Sequence, residues 1–200
     1  MTTRSATCPT RARAPRISAL TVDDAGACVA LEIAAFNPAD RFPTRVWRRL
    51  IGPAQDAGSV LALGIRNPNR YLLGAILVLL RRTSRVARIY MLAVDPGQHR
   101  HGLGTRLITA AISRLPPRCT SLVLEVRVDN AAARGLYRRM GFVATAALSD
   151  FYGDGSPGIR YELALPHRRL PSSGHRPASI FRLPPGYPRP PPAKHAKSCP

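Results

Sequence analysis

The sequence predicts an α/β fold, a mixed and mostly antiparallel sheet of about seven strands with about four helices. Three observations carry this. Several short segments are continuously apolar or alternate apolar with polar residues, the two patterns of strands. Between some of them lie segments whose apolar residues recur three and four apart, as on one face of a helix. Clusters of Gly, Pro, Asn and Asp punctuate the boundaries. All of these signals fall within residues 17–165, which are expected to form one domain without internal repeats.

Taken in order, "RISAL" reads as a short first strand and "TVDDAGACVALEIAAF" as a helix capped by Thr21 or Asp23, with Ala27, Leu31 and Ala34 at helical spacing. "TRVWRRLI" is a second, shorter helix that gathers Val46, Trp47 and Leu50 on one side. "SVLALGI" and "YLLGAILVLL" are strands joined by the turn "RNPN", and "ARIYMLAV" is a strand stopped by Asp95 and Pro96. After a glycine-containing loop, Leu103, Leu107, Ile108, Ala111, Ile112 and Leu115 form the apolar stripe of a helix that Pro116 and Pro117 end. In "SLVLEVRVD", Leu122, Leu124, Val126 and Val128 face one way, and Val123, Glu125, Arg127 and Asp129 the other. "NAAARGLYRRM" is a helix placed for capping by Asn130 and for a left-handed stop at Gly141. "FVATAAL" and "GIRYELAL" close the sheet across the turn "YGDGSPG".

The chain has 200 residues, 45% of them hydrophobic, enough for a core, and a formal charge of +19. The charge is uneven. Residues 1–16 hold four arginines and no acid, residues 166–200 hold seven Lys or Arg and no acid, and 17–165 carry only +8. Ten of the 20 prolines lie in 166–200, so that tail cannot join a helix or a central strand. Both end segments are expected to be disordered. The tail is either a solvated extension or an arm for an anionic surface such as RNA or the ribosome. Cys8, Cys28, Cys119 and Cys199 show no metal-binding spacing, and reduced thiols in the cytoplasm are the expectation. The longest apolar run has ten residues and is followed by Arg81 and Arg82, about half a membrane span, so no membrane partner is expected.

"GQHRHGLGTRL", residues 97–107, admits three readings. His99 and His101 suggest a metal, but no further ligands converge in the sequence and none is expected. Gly102 and Gly104 after a strand and before a helix suggest an anion site built from unpaired backbone N–H groups and the helix dipole. A tight strand-to-helix turn accounts for the same glycines. No Walker Lys follows, and Leu107 stands where a third Rossmann glycine would be.

Together, "LAVDPGQHRHGLGTRLI" and "LEVRVDNAAARGLYRRMGF" resemble the GNAT superfamily of N-acetyltransferases, in pattern the bacterial ribosomal-protein-alanine (RimI) type. The resemblance is strong over residues 89–165 and weak before 70. It implies the GNAT fold, with splayed central strands, and acetyl-CoA as co-substrate. It implies that His99, Arg100, His101, Gly102, Leu103 and Gly104 form the loop that binds pyrophosphate through backbone amides, with His99 in place of the family's Gln or Arg. By the same resemblance Met91, Leu92 and Ala93 hold the pantetheine arm through their backbone, and Asn130 contacts coenzyme A as well as, or instead of, only capping its helix.

Acetyl transfer to an amine requires loss of an amine proton, polarisation of the thioester carbonyl, and stabilisation of the departing thiolate. No Cys stands in either motif, so direct transfer in a ternary complex is expected. Glu125 interrupts an apolar strand, which is costly unless it meets water, a cation or a cleft. It is either the base, as the resemblance implies, or the partner of Arg127 or another arginine. Tyr137 aligns with the family's general acid, or is a core tyrosine beside Leu136 and Met140. Tyr152 in "SDFYGDG" either grips a substrate peptide or covers a sheet edge. The acceptor follows from the resemblance as a protein N-terminus. A small-molecule amine and a non-enzymatic RNA- or ribosome-binding module are the alternatives.

Overall fold

The computed structural model describes residues 14–165. The basic segment before residue 14 and the proline-rich tail from 166 lie outside the described residues. The elements are β1 (Arg16–Ala19), α1 (Ala25–Ala35), α2 (Thr44–Ile51), α3 (Pro53–Asp56), β2 (Val60–Arg66), β3 (Leu72–Leu79), β4 (Val86–Val94), α4 (Leu103–Arg114), β5 (Ser121–Arg127), α5 (Ala131–Arg139), β6 (Val143–Leu148) and β7 (Gly158–Ala164). The seven strands form one sheet in the order β1-β2-β3-β4-β5-β7-β6. Only β4 and β5 run parallel.

Helices cover both faces of this sheet, which explains the continuous apolar run of β3. Ile76 and Val78 pack with Leu107 and Ile108 of α4 and with Leu122 and Leu124. Their neighbours Ala75, Leu77 and Leu79 pack the other way, with Leu31 of α1 and Trp47 and Leu50 of α2. Eight of the ten apolar residues, Leu72–Leu79, are thus a strand covered on both sides, while Tyr71 before it is 68% exposed. Among the described residues no helix is long and apolar enough to cross a membrane.

The sequence-based boundaries need three adjustments. β5 ends at Arg127, and Val128 turns out to solvent at 39% exposure instead of extending the inward row. The one-turn α3 is an additional helix, and Gly52, Pro53 and Gly58 mark its neighbourhood as loop. Its Gln55 bridges the Leu20 carbonyl and the Ala62 N–H, at 2.9 and 3.0 Å. The helix expected from residue 21 starts with a single 3-10 turn, Val22–Asp24, where the Asp24 carboxylate accepts from the Thr21 N–H at 2.8 Å.

The feature that makes a site is the parting of β4 from β5. Their pairing is confined to Val86–Arg88 against Ser121–Val123. On the other edge of β4 the register slips: Val78 faces Ile89 but Leu77 faces Met91, so Tyr90 is an inserted residue. Such a bulge bends and twists the strand that carries it. Beyond it β4 follows β3 to Val94, while β5 follows β7 to Arg127. The β4 edge from Ile89 onward faces an opening and not a neighbouring strand.

Candidate active site

At the top of the cleft β4 runs into a tight turn and then α4. The Asp95 carboxylate accepts from the Gly97 N–H at 2.9 Å, and the His99 ring nitrogen Nε2 lies 3.1 Å from the Val94 carbonyl. His99 therefore pins the loop to the strand end, a role that needs no metal. The side chains of Arg100 and His101 are exposed. Among the described residues no group of three His, Cys, Asp or Glu is arranged to hold a metal ion.

The two loop glycines have different reasons. Gly102 sits at φ +73°, and a Cβ added there would meet nothing within 4 Å. It leaves open space in front of the first turn of α4, whose N–H groups have no intrahelical acceptors. Gly104 instead lies under α5, and an added Cβ would come 3.0 Å from Leu136 Cδ2. Close helix packing thus favours a small residue at 104. Gly102→Val places a β-branched residue in the left-handed region, a cost of about 1–2 kcal/mol. It is expected to weaken acetyl-CoA binding about tenfold in calorimetry while lowering the melting temperature by only a few degrees.

Below the loop lies a cavity of about 300 Å³. β4 contributes Met91 and Leu92, β5 contributes Glu125 and Arg127, α5 contributes Tyr137, and residues 39–42 and 151–153 close the sides. Met91, Leu92, Glu125, Asn130, Tyr137 and Tyr152 thus share one wall lining. Ala93 is buried in the sheet face, outside that lining, and residues 99–104 stand beyond the strand end. Asn130 caps α5, its Oδ1 accepting from the Ala133 N–H at 3.0 Å, and it also lines the cavity.

The Glu125 side chain is 4% exposed and doubly paired. Its Oε2 lies 2.6 Å from an Arg88 guanidinium nitrogen, and its Oε1 accepts from Arg160 Nε at 3.0 Å. The partners are arginines from β4 and β7, not Arg127. Tyr137 is 7% exposed and packs edge-on against Phe142 at 5.7 Å. Burial, with nearby Tyr152 adding to it, raises the Tyr137 phenol well above its ordinary range. Tyr152 is pushed up to about 12, chiefly by burial and against the pull of Arg127.

Two features of the walls have no local signature. The Glu32 carboxylate of α1 is 1% exposed, and its Oε2 accepts from Trp47 Nε1 and from the Phe42 N–H, each at 2.9 Å. Burial raises this carboxyl, opposed by those two hydrogen bonds. It holds Phe42 in the cavity wall, where the ring stacks on Tyr90 at 5.3 Å and 13°. Arg127 is held by Asp40 and Asp154 and lies over the Tyr152 ring.

A family model described as "Acetyltransferase (GNAT) family" matches residues 30–142, which include the wall at 39–42, β4, the loop, β5 and α5. The chain belongs to the GNAT acetyltransferase family. Among curated GNAT relatives, N-alpha-acetyltransferase 30 of Homo sapiens is 36% identical over 86 residues, covering 42% of this chain and 24% of that protein. The [ribosomal protein bS18]-alanine N-acetyltransferase of Escherichia coli (strain K12) is 40% identical over 67 residues, covering 33% and 45%. The chain thus spans less than half the length of these relatives. The crystal structure of the ribosomal-protein-S18-alanine N-acetyltransferase from Escherichia coli superposes with a TM-score of 0.64 at 25% identity, over 78% of this chain and 99% of that one.

Proposed function

We propose that this GNAT protein is a cytoplasmic N-acetyltransferase that moves an acetyl group from acetyl-CoA directly to a protein N-terminal α-amine, without a metal. One observation carries the reading: the β4 edge that β5 leaves uncovered from Ile89 onward runs from the cavity lined by Glu125 and Tyr137 toward the strand end that carries the Gly102 loop. The space before Gly102 fits a pyrophosphate held by backbone amides, since no other protein atom lies within 4 Å of where a Cβ would stand. Residues 99–104 hold that end, Met91, Leu92 and Ala93 hold the arm through their backbone, and Asn130 contacts coenzyme A while capping α5. When bound, acetyl-CoA supplies a thioester carbonyl open to nucleophilic attack.

The chain's own groups do the rest. Backbone N–H groups on the β4 edge above its pairing with β5 polarise the carbonyl oxygen. An α-ammonium with pKa of ~8 must lose its proton before it can attack. Glu125 takes that proton through a water, using lone pairs that Arg88 and Arg160 leave unused. Tyr137 keeps its proton because burial disfavours the phenolate, so it acts as a donor and never as a base. It donates to the departing sulfur as the C–S bond breaks, and regains a proton from solvent. Tyr152 and Phe151 form the wall against which the acceptor lies.

The test is acetyl-CoA turnover against a panel of N-terminal peptides and small amines. Peptide acetylation at the α-amine is the expected result, and turnover of small amines alone would replace the acceptor. No binding of acetyl-CoA would end the reading. The basic end segments add a weak association with ribosomal RNA. Removing 166–200 is expected to abolish salt-sensitive RNA binding and leave peptide turnover unchanged.

A further inference from the structure

Glu32 is the only acidic residue of α1, and the helix turns it inward, where it is 1% exposed. Its Oε2 accepts from the Phe42 N–H and from Trp47 Nε1, ten and fifteen residues further along, each at 2.9 Å. Its Oε1 is buried and finds no hydrogen-bond partner among the described residues. For stability alone this is a poor choice, because burial opposes the charge and one oxygen is left unused. What the carboxylate secures is a position. Between α1 and α2 the chain has a single 3-10 turn, Pro38–Asp40, and no other regular element to fix residues 36–43. Arg41 ties this segment to the end of α1, donating to the Phe36 and Ile33 carbonyls at 2.8 and 3.0 Å. Arg127 holds Asp40. Glu32 fixes the far end, at the Phe42 amide, and the Phe42 ring then stacks on Tyr90, the residue folded out of the β4 ladder.

We propose that Glu32 is a positioning residue for the acceptor: by holding the Phe42 amide it sets the cleft wall at 36–42 against Tyr90, without lining the cleft itself. This rests on the reading that an amine acceptor enters this cleft. Phe36, Asp40, Arg41 and Phe42 line it, and none of them belongs to the residues assigned above to acetyl-CoA. Loss of the anchor therefore falls on the acceptor and not on the donor. Reach, and not charge, is what the anchor supplies. Both of its donors are neutral N–H groups, so an amide oxygen at the same distance accepts from them as well. A carboxylate one methylene shorter falls short of the 2.9 Å bond to Phe42.

The test uses the full chain, with Ala-first and Met-first peptides as acceptors and steady-state kinetics in both substrates. Glu32→Gln, with the same reach and no charge, is expected to keep the acceptor KM within about threefold. Glu32→Asp should raise it about fivefold and Glu32→Met, which offers no oxygen, about tenfold, each with kcat within about threefold and the KM for acetyl-CoA within about twofold. Phe42→Ala is expected to match Glu32→Met, and the double variant to be no worse than either, because both act through one contact. Hydrogen exchange reads the anchor without turnover. Glu32→Asp and Glu32→Met should speed exchange at residues 36–43 and leave α4 and β5 unchanged, whereas Glu32→Gln should not. Glu32→Asp carries the test should Glu32→Met not fold. A Gln variant as impaired as the Asp variant, a KM for acetyl-CoA that rises with that of the acceptor, or additive effects of Glu32→Met and Phe42→Ala would overturn the proposal. If the wild-type protein acetylates neither peptide, the acceptor reading fails, and exchange at residues 36–43 still decides whether Glu32 fixes the wall.

Discussion

Tyr137→Phe is expected to lower kcat about 100-fold or more, the range for losing a general acid, while acetyl-CoA binding stays near normal. The ring is packed against Phe142 and Tyr161, and Phe preserves both contacts. Only the hydroxyl is removed, so the melting temperature should move little. The raised phenol adds a second signature. The rate should climb with pH as the acceptor amine deprotonates, and it should not fall near pH 10, where an ordinary tyrosine ionises. Stopped-flow turnover across pH 6–10.5 checks both expectations, and a wild-type rate in the Phe variant would remove Tyr137 from the chemistry.

Glu125→Gln is expected to have a larger and less selective effect. The carboxylate is 4% exposed and faces Arg88, itself 9% exposed, so the pair is desolvated. Removing the negative charge takes a carboxylate partner from buried Arg88 and from Arg160, which is 36% exposed. The cost of orphaning a buried charge is about 3–5 kcal/mol, a melting shift readily seen by calorimetry. Among molecules that remain folded, kcat should fall most at low pH, where the acceptor amine depends most on a base. Exogenous formate or acetate, filling the gap left by the charge, should recover some activity. A variant with wild-type stability and a flat loss at every pH would argue that Glu125 serves neither role assigned to it.

The sequence made the scaffold legible because the scaffold is local. Alternation in β5, the apolar run of β3, the Asn130 cap and the Gly141 stop are each written within a few residues, and they sit where the pattern puts them. The family loop was likewise visible as a short motif. What escaped is the pairing between distant segments. Arg127 could be read as a partner for Glu125 two residues away. Its actual partners lie 87 and 27 residues off and are brought in by a 3-10 turn and a hairpin with no periodicity. Glu32 has no sequence signal that sets it apart, and only the fold shows Trp47 and Phe42 closing over it. Gly104 was legible as a glycine but not for its reason, because Leu136 reaches it from another helix.

The extra residue at Tyr90 has a consequence of parity. Ala87 and Ile89, below the insertion, point toward the α4 layer, and so does Leu92 above it. Arg88 therefore points to the opposite side, where Glu125 waits. Were the bulge flattened, with every residue of β4 kept and Met91 and Ala93 still in register against Leu77 and Ala75, every position beneath would swap sides. Arg88 would be driven into the apolar layer, and Ala87 and Ile89 would line the cleft. Folding Tyr90 out of the ladder thus does two jobs at once: it parts the strands, and it decides which side of the sheet carries the charge.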